Sequence, residues 1–318
     1  MNSIRPRVIG VTAAFIALVA PLGLSACSTR DGGKAAESST AAAAGGGCPT
    51  TPLNVVVSVD QWGDIVRDLG GECAQVTTVL ASSSVDPHDF EPSPADAATF
   101  SKAQLVVVNG ADYDPWASKF AATSAPKAPV VDAGVVTKTA AGANPHLWYS
   151  PSAVVAVADA VTAELAKLAP EAKAYFADQR TAFGTSLEPY NKLVGDIKAG
   201  ATGKTYAATE SVFDYTAEDV GLVNATPPGY KAASANESDP SPADLEAFRR
   251  ALADRKINVL IYNTQTEGSV PEQIRTAAET AGVPVVEVTE TVPPGTTSFQ
   301  TWQLAQLTAL AKALGVAG

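Results

Sequence analysis

Glu91-Pro92-Ser93-Pro94-Ala95-Asp96 leads through a helix-forming stretch into Ala103-Gln104-Leu105-Val106-Val107-Val108-Asn109. Much later, Asp239-Pro240-Ser241-Pro242-Ala243-Asp244 leads through another into Ile257-Asn258-Val259-Leu260-Ile261-Tyr262-Asn263. Each copy runs acidic residue, Pro-Ser-Pro-Ala-Asp, helix, then an apolar strand closing on Asn. A serine followed by proline starts a helix well: the hydroxyl accepts a first-turn N–H, and proline lacks a donor that would go unused there. The same order twice predicts two similarly built lobes. Their beginnings correspond as well. Asn54 to Ser58 is a β-branched run followed by Val59-Asp60-Gln61-Trp62 and a helix ending near Gly70-Gly71. Thr205 to Thr209 is followed by Glu210-Ser211-Val212-Phe213 and a helix ending near Gly221. Short buried runs alternating with helices predict an α/β fold with mostly parallel sheets. In such units ligands sit beyond the carboxyl ends of the strands.

Helix formers fill the region between the lobes, over Pro151 to Leu168 and again over Pro170 to Ala199. Phe176, Phe183, Leu187, Tyr190 and Val194 fall on one apolar face, and Pro189 should kink or break the second helix. The expected organisation is an N-terminal lobe over residues 48–169, one long linking helix over 170–200 and a C-terminal lobe over 201–318. A stiff link of this kind limits wide hinge motion.

The N-terminus bears on location. Arg5 and Arg7 precede an apolar stretch, Val8 to Leu24, that is short for a spanning helix. It closes on Leu24-Ser25-Ala26-Cys27, which resembles a bacterial lipoprotein signal. On that reading residues 1–26 are removed and Cys27 is lipidated. Residues 27–47, rich in Ser, Ala and Gly, read as a flexible tether. The expected location is the extracytoplasmic face of the cell membrane. Cys48 and Cys73 then remain, and an oxidising compartment suggests one disulfide between them. The net charge of −11 argues against a nucleic-acid partner. It fits a monomer that attracts cations.

The chain has two histidines, each behind a proline that stiffens its loop. His88 lies in Asp86-Pro87-His88-Asp89-Phe90-Glu91-Pro92, and His146 in Asn144-Pro145-His146-Leu147-Trp148. Either is a candidate metal ligand, or a loop histidine bonded to a backbone carbonyl. Glu210 and Glu290 stand at the ends of predicted strands in the second half, as candidate ligands or as helix-terminal carboxylates favoured by the dipole. Two imidazoles and two carboxylates suit Zn²⁺, Mn²⁺ or Fe²⁺. Asp60, Asp89 and Glu91 are candidate outer partners of the imidazoles, with Asp60 alternatively a helix cap. Trp62, Trp148 and Phe213 either wall a cleft or belong to the core.

Taken together, Pro87-His88-Asp89-Phe90-Glu91-Pro92-Ser93, Asn144-Pro145-His146-Leu147-Trp148-Tyr149-Ser150-Pro151, the strand ending at Glu210, and Thr289-Glu290-Thr291 resemble the metal-binding lipoproteins of bacterial ABC importers for zinc and manganese. The resemblance covers Asn54 to the C-terminus. It implies two α/β lobes joined by one long helix, with a metal held in the cleft by His88, His146, Glu210 and Glu290, and an ABC permease as partner. Two departures stand out. Glu290 occupies a position that is usually Asp. No histidine occurs between Asp112 and Gly142, where many zinc members carry a histidine-rich loop. The chain therefore looks more like the manganese members, although zinc binds most sites more tightly than manganese; iron is the less favoured third choice. The implied function is capture and delivery of a divalent metal, without catalysis. The competing readings are an exported metal-dependent hydrolase and a carrier of an organic or chelated-metal ligand. The first lacks an HExxH or GxSxG motif, and the second lacks arginine near the motifs.

Overall fold

The structure, a computed structural model, describes residues 47–81, 87–140, 142–236, 238–266 and 268–316. The expected signal segment, Cys27, all but the last residue of the expected tether, and the side chain of Asp89 lie outside the described residues.

Two four-stranded sheets form, both wholly parallel. The first contains β1 (Leu53–Val59), β2 (Ala74–Leu80), β3 (Leu105–Val108) and β4 (Val130–Asp132), in the order β2-β1-β3-β4. The second contains β5 (Thr205–Ala208), β6 (Val223–Asn224), β7 (Val259–Asn263) and β8 (Val285–Val288), in the order β6-β5-β7-β8. The two orders are the same order. Helices α1 (Asp60–Gly70), α2 (Pro94–Phe100), α3 (Pro115–Ser124), α4 (Ala133–Thr137) and α5 (Pro151–Leu168) belong to the N-terminal half. Helices α6 (Lys173–Ser186) and α7 (Glu188–Ala201) connect to the C-terminal half, which carries α8 (Asp214–Asp219), α9 (Pro228–Ala235), α10 (Pro242–Ala253), α11 (Ser269–Ala281) and α12 (Phe299–Ala313).

The repeated motif starts equivalent helices. Ser93 accepts from the Asp96 N–H and Asp96 answers by accepting from the Ser93 N–H, a reciprocal cap on α2. Ser241 accepts from the Asp244 N–H at the start of α10. Each helix feeds the strand beside its sheet's first strand, β3 or β7, and each of those strands runs into an asparagine.

Alternation along the strands divides the core. Val55, Val57, Leu105 and Val107 face a large cluster, while Val56, Val106 and Val108 pack with Phe100 and Ala117 on the other face. In the second sheet Ala208, Val259 and Ile261 join the same large cluster, while Ala207 and Leu260 pack with Phe248 and Ile274. One apolar core thus runs through both lobes, and the bent linking helix seals it. Phe176 and Phe183 of α6 and Ile197 of α7 are buried in it. The helix breaks at Leu187, two residues before Pro189, as expected where the i→i−4 ladder loses a donor. Its first half packs on α1 and α5, its second on α12. Cys48 and Cys73 are joined by a disulfide that ties the chain ahead of β1 to the turn after α1.

Candidate metal centre

Four chain segments end at one place. His88 lies on a single 3-10 turn, Pro87–Asp89. His146 precedes another, Leu147–Tyr149, which leads into α5. Glu210 follows β5 by two residues and Glu290 follows β8 by two, both at carboxyl ends, where parallel sheets present ligands. The structure brings all four together: one donor atom from each lies within 4.8 Å of the others. His88 Nε2 is 3.5 Å from Glu210 Oε1 and 3.5 Å from Glu290 Oε2. His146 Nε2 is 3.7 and 3.4 Å from the same two oxygens. The side chains of His146 and Glu290 are 2% and 0% exposed, against 16% for His88 and 13% for Glu210, so the cluster opens on the His88–Glu210 side.

The histidine side is built around asparagines. The Oδ1 of Asn144 accepts from His146 N at 3.0 Å and lies 2.7 Å from His146 Nδ1. A carbonyl oxygen only accepts, so Nδ1 carries the proton and Nε2 keeps its lone pair. That nitrogen is buried and has no hydrogen-bond partner among the described residues. A buried acceptor without a donor is costly unless something else supplies positive charge, and a metal ion does so. Asn144 also reaches the other lobe: its Nδ2 donates to the Ser211 carbonyl, and its own carbonyl accepts from Tyr215 OH. Asn109 Nδ2 donates to the Pro145 carbonyl, one residue before His146, and Asn109 Oδ1 accepts from Trp62 Nε1.

The acidic side is built around Asn263. Its Nδ2 donates to Glu210 Oε2 and to Glu290 Oε1, each at 2.8 Å. Thr266 donates to Glu210 Oε2, and Tyr113 OH donates across the cleft to Glu290 Oε2 at 3.0 Å. Gln265 Oε1 accepts from the backbone N–H of Glu290 and Thr291 and so fixes the turn. Burial alone would raise the Glu210 carboxyl. In the metal-free site with the imidazoles protonated, the hydrogen bond from His88, the charge of His146, the Thr266 bond and the charge of His88 outweigh it and hold the group at about 2. Glu210 is therefore ionised at neutral pH.

The other candidates fall as follows. Asp60 Oδ1 accepts from the Val292 N–H at 3.3 Å, joining α1 to the turn after Glu290, and no side chain caps that helix at Val59. Glu91 is exposed. Trp148 stands edge-on to His146, with ring centroids 5.4 Å apart, and Tyr113 packs against Trp148 at 5.0 Å. Trp62 acts at a remove through Asn109, and Phe213 packs on Tyr149 in the core. Sequence reasoning missed Tyr113, Asn144, Gln265 and Thr266. In the sequence Asn109 and Asn263 stand out only as strand ends.

The fold is that of two-lobed α/β binding proteins. The solved structure of the periplasmic zinc-binding protein TroA from Treponema pallidum aligns with a TM-score of 0.68 at 18% identity, covering 83% of this chain and 99% of that one. By sequence the chain belongs to the family described as zinc-uptake complex component A, periplasmic (ZnuA), which matches residues 55–313. Among its relatives is the high-affinity zinc uptake system protein ZnuA of Bacillus subtilis, 24% identical over 234 residues, or 66% of this chain and 69% of that protein. Another is the manganese-binding lipoprotein MntA of Halalkalibacterium halodurans, 22% identical over 215 residues, or 65% and 67%.

Proposed function

We propose that this chain is the extracytoplasmic solute-binding component of an ABC importer for a divalent transition metal, zinc, manganese or iron. Lipid on Cys27 holds it at the membrane. As a monomer it captures one ion with His88, His146, Glu210 and Glu290, and delivers it to a permease. The observation that carries the reading is the convergence of four donor atoms within 4.8 Å, one of them the buried His146 Nε2, which has no hydrogen-bond partner among the described residues.

The chemistry follows from the donor set. Two carboxylates attract a dication from the open His88–Glu210 side, and neutral imidazoles complete the shell as water is shed. Four protein donors leave room for an ion and not for an organic molecule. A closed set of this kind holds cargo, whereas a catalytic metal keeps a position open. Metal binding draws the N-terminal histidines toward the C-terminal carboxylates. Because one core runs through both lobes, release requires local rearrangement rather than wide hinge opening.

The test is the metal content of untagged protein, followed by titration of metal-stripped protein. One equivalent is expected, lost in His146→Ala. A chain that carries no metal and takes none up after stripping would sink the proposal.

A further inference from the structure

We propose that Asn263 sets the metal preference of the centre: its amide ties back one oxygen of each carboxylate, so that Glu210 and Glu290 each offer a single oxygen and the site favours zinc over manganese. This inference rests on the metal-binding reading above.

The geometry is specific about which oxygen does what. Glu210 Oε1 and Glu290 Oε2 are the oxygens that face both imidazoles. Their partners, Glu210 Oε2 and Glu290 Oε1, each accept one bond from Asn263 Nδ2. An amide has two protons on its nitrogen, and both are engaged. The amide cannot turn over without loss, because Asn263 Oδ1 accepts from the Gln265 N–H at 3.1 Å. Thr266 adds a second donor to Glu210 Oε2. Asn263 is buried at 1% exposure, so water does not readily replace these bonds.

Four residues reach a coordination number above four most simply when a carboxylate swings to contact the ion with both oxygens. Here that swing breaks a charge-assisted hydrogen bond at either acid. Two nitrogens and two single oxygens remain, a four-donor set suited to tetrahedral Zn²⁺. Manganese is best served by six, mostly oxygen, donors, and it stands lowest in the divalent affinity order. Tyr113 strengthens the bias by occupying one lone pair of Glu290 Oε2. The absence of a histidine-rich loop pointed toward manganese; the hydrogen bonds on the carboxylates point the other way.

The experiment loads the metal-stripped full chain with Co²⁺, which absorbs far more strongly in the visible when tetrahedral than when six-coordinate, and then runs Zn²⁺/Mn²⁺ competition. Wild type should show intense tetrahedral bands. In Asn263→Ala the bands should weaken and the zinc-to-manganese preference should fall by about tenfold, the scale of losing an outer partner. Thr266→Val, which removes one of the two donors to Glu210 Oε2 and leaves the Asn263 bond in place, should shift both readouts less in the same direction. If Asn263→Ala does not fold, the wild-type spectrum and Thr266→Val decide. Six-coordinate cobalt in wild type, or unchanged spectra and preference in variants that still take up one ion, would overturn this inference and leave metal capture standing. Failure of wild type to take up Co²⁺, Zn²⁺ or Mn²⁺ would overturn both.

Discussion

The two lobes share one strand order and an asparagine where the third strand ends, yet the two asparagines do different work. Asn109 reaches a backbone carbonyl and thereby holds the loop that carries His146. Asn263 reaches the carboxylates of Glu210 and Glu290 themselves. The N-terminal lobe presents imidazoles from proline-stiffened loops, one step removed from its sheet. The C-terminal lobe presents acids directly from strand ends. One scaffold used twice therefore supplies two kinds of donor, and the difference lies in how far each stands from its strand.

The most forceful way to break the comparison is to remove the buried imidazole. His146→Ala should lower metal affinity by more than the 10–100-fold typical of losing an outer partner, measured by competition with a chelating indicator. A loss of no more than about 100-fold would place His146 among the outer partners at best and leave the N-terminal lobe with one donor.

Protons should separate the lobes next. Imidazole must be neutral to bind a metal, so affinity should fall as pH drops through about 8 to 5, where imidazole ordinarily titrates. Glu210 behaves otherwise. Its folded value of about 2 lies below the ordinary 4.5. Its contribution to the stability of the metal-free fold is thus complete above about 4.5 and lost only as pH falls toward 2. Asp60 has the opposite sign: burial raises it from 3.8 to about 7, against the Val292 bond. Its charge costs stability above pH 7, and the cost fades as pH falls through 7. Asp60→Asn should therefore raise the melting temperature at pH 8 more than at pH 5. An equal rise at both would remove burial of the charge as the cause.

Much of this arrangement was legible in the sequence, because the signals are local. Ser93-Pro94 and Ser241-Pro242 start equivalent helices, short β-branched runs make parallel strands, and Pro189 sits beside the break it causes. The four residues that the structure brings together were visible for a related reason: histidine is scarce here, and the glutamates follow strand ends. The hydrogen-bonding shell was less accessible. Tyr113 meets Glu290 across 177 positions and Asn263 meets Glu210 across 53, so only the folded chain pairs them. Asn144 is an exception. It lies two residues before His146, close enough for its side chain to reach both the N–H and the ring, and Asn-Pro-His could have been read as a histidine with its own orienting acceptor.

A finer test of the comparison is Asn109→Ala. It removes the bond to the Pro145 carbonyl and leaves Trp62 Nε1 without its acceptor. Because this residue holds a loop and touches no donor atom, affinity should fall by about tenfold, the lower end for an outer partner. Trp62→Phe, which removes only the indole donor, should fall by less. If Trp62→Phe costs as much as Asn109→Ala, the loss is one of core packing and not of loop position.

The smallest effect on binding belongs to the disulfide. Cys48–Cys73 spans 25 positions and closes a loop around β1 and α1, at the far end of that helix from Asp60. The cross-link restricts the unfolded chain, worth about 3 kcal/mol for a loop of this order. It makes no bond to a donor residue. Cys48→Ser with Cys73→Ser should therefore lower the unfolding free energy by about that amount, read by denaturant titration, while metal affinity changes by less than about threefold. A larger loss of affinity would mean that α1, which carries Trp62 and Asp60 toward the two sides of the cleft, depends on the bridge for its position. Stability and cargo binding would then be coupled through the N-terminal lobe alone, and the difference between the lobes would extend from their donors to their rigidity.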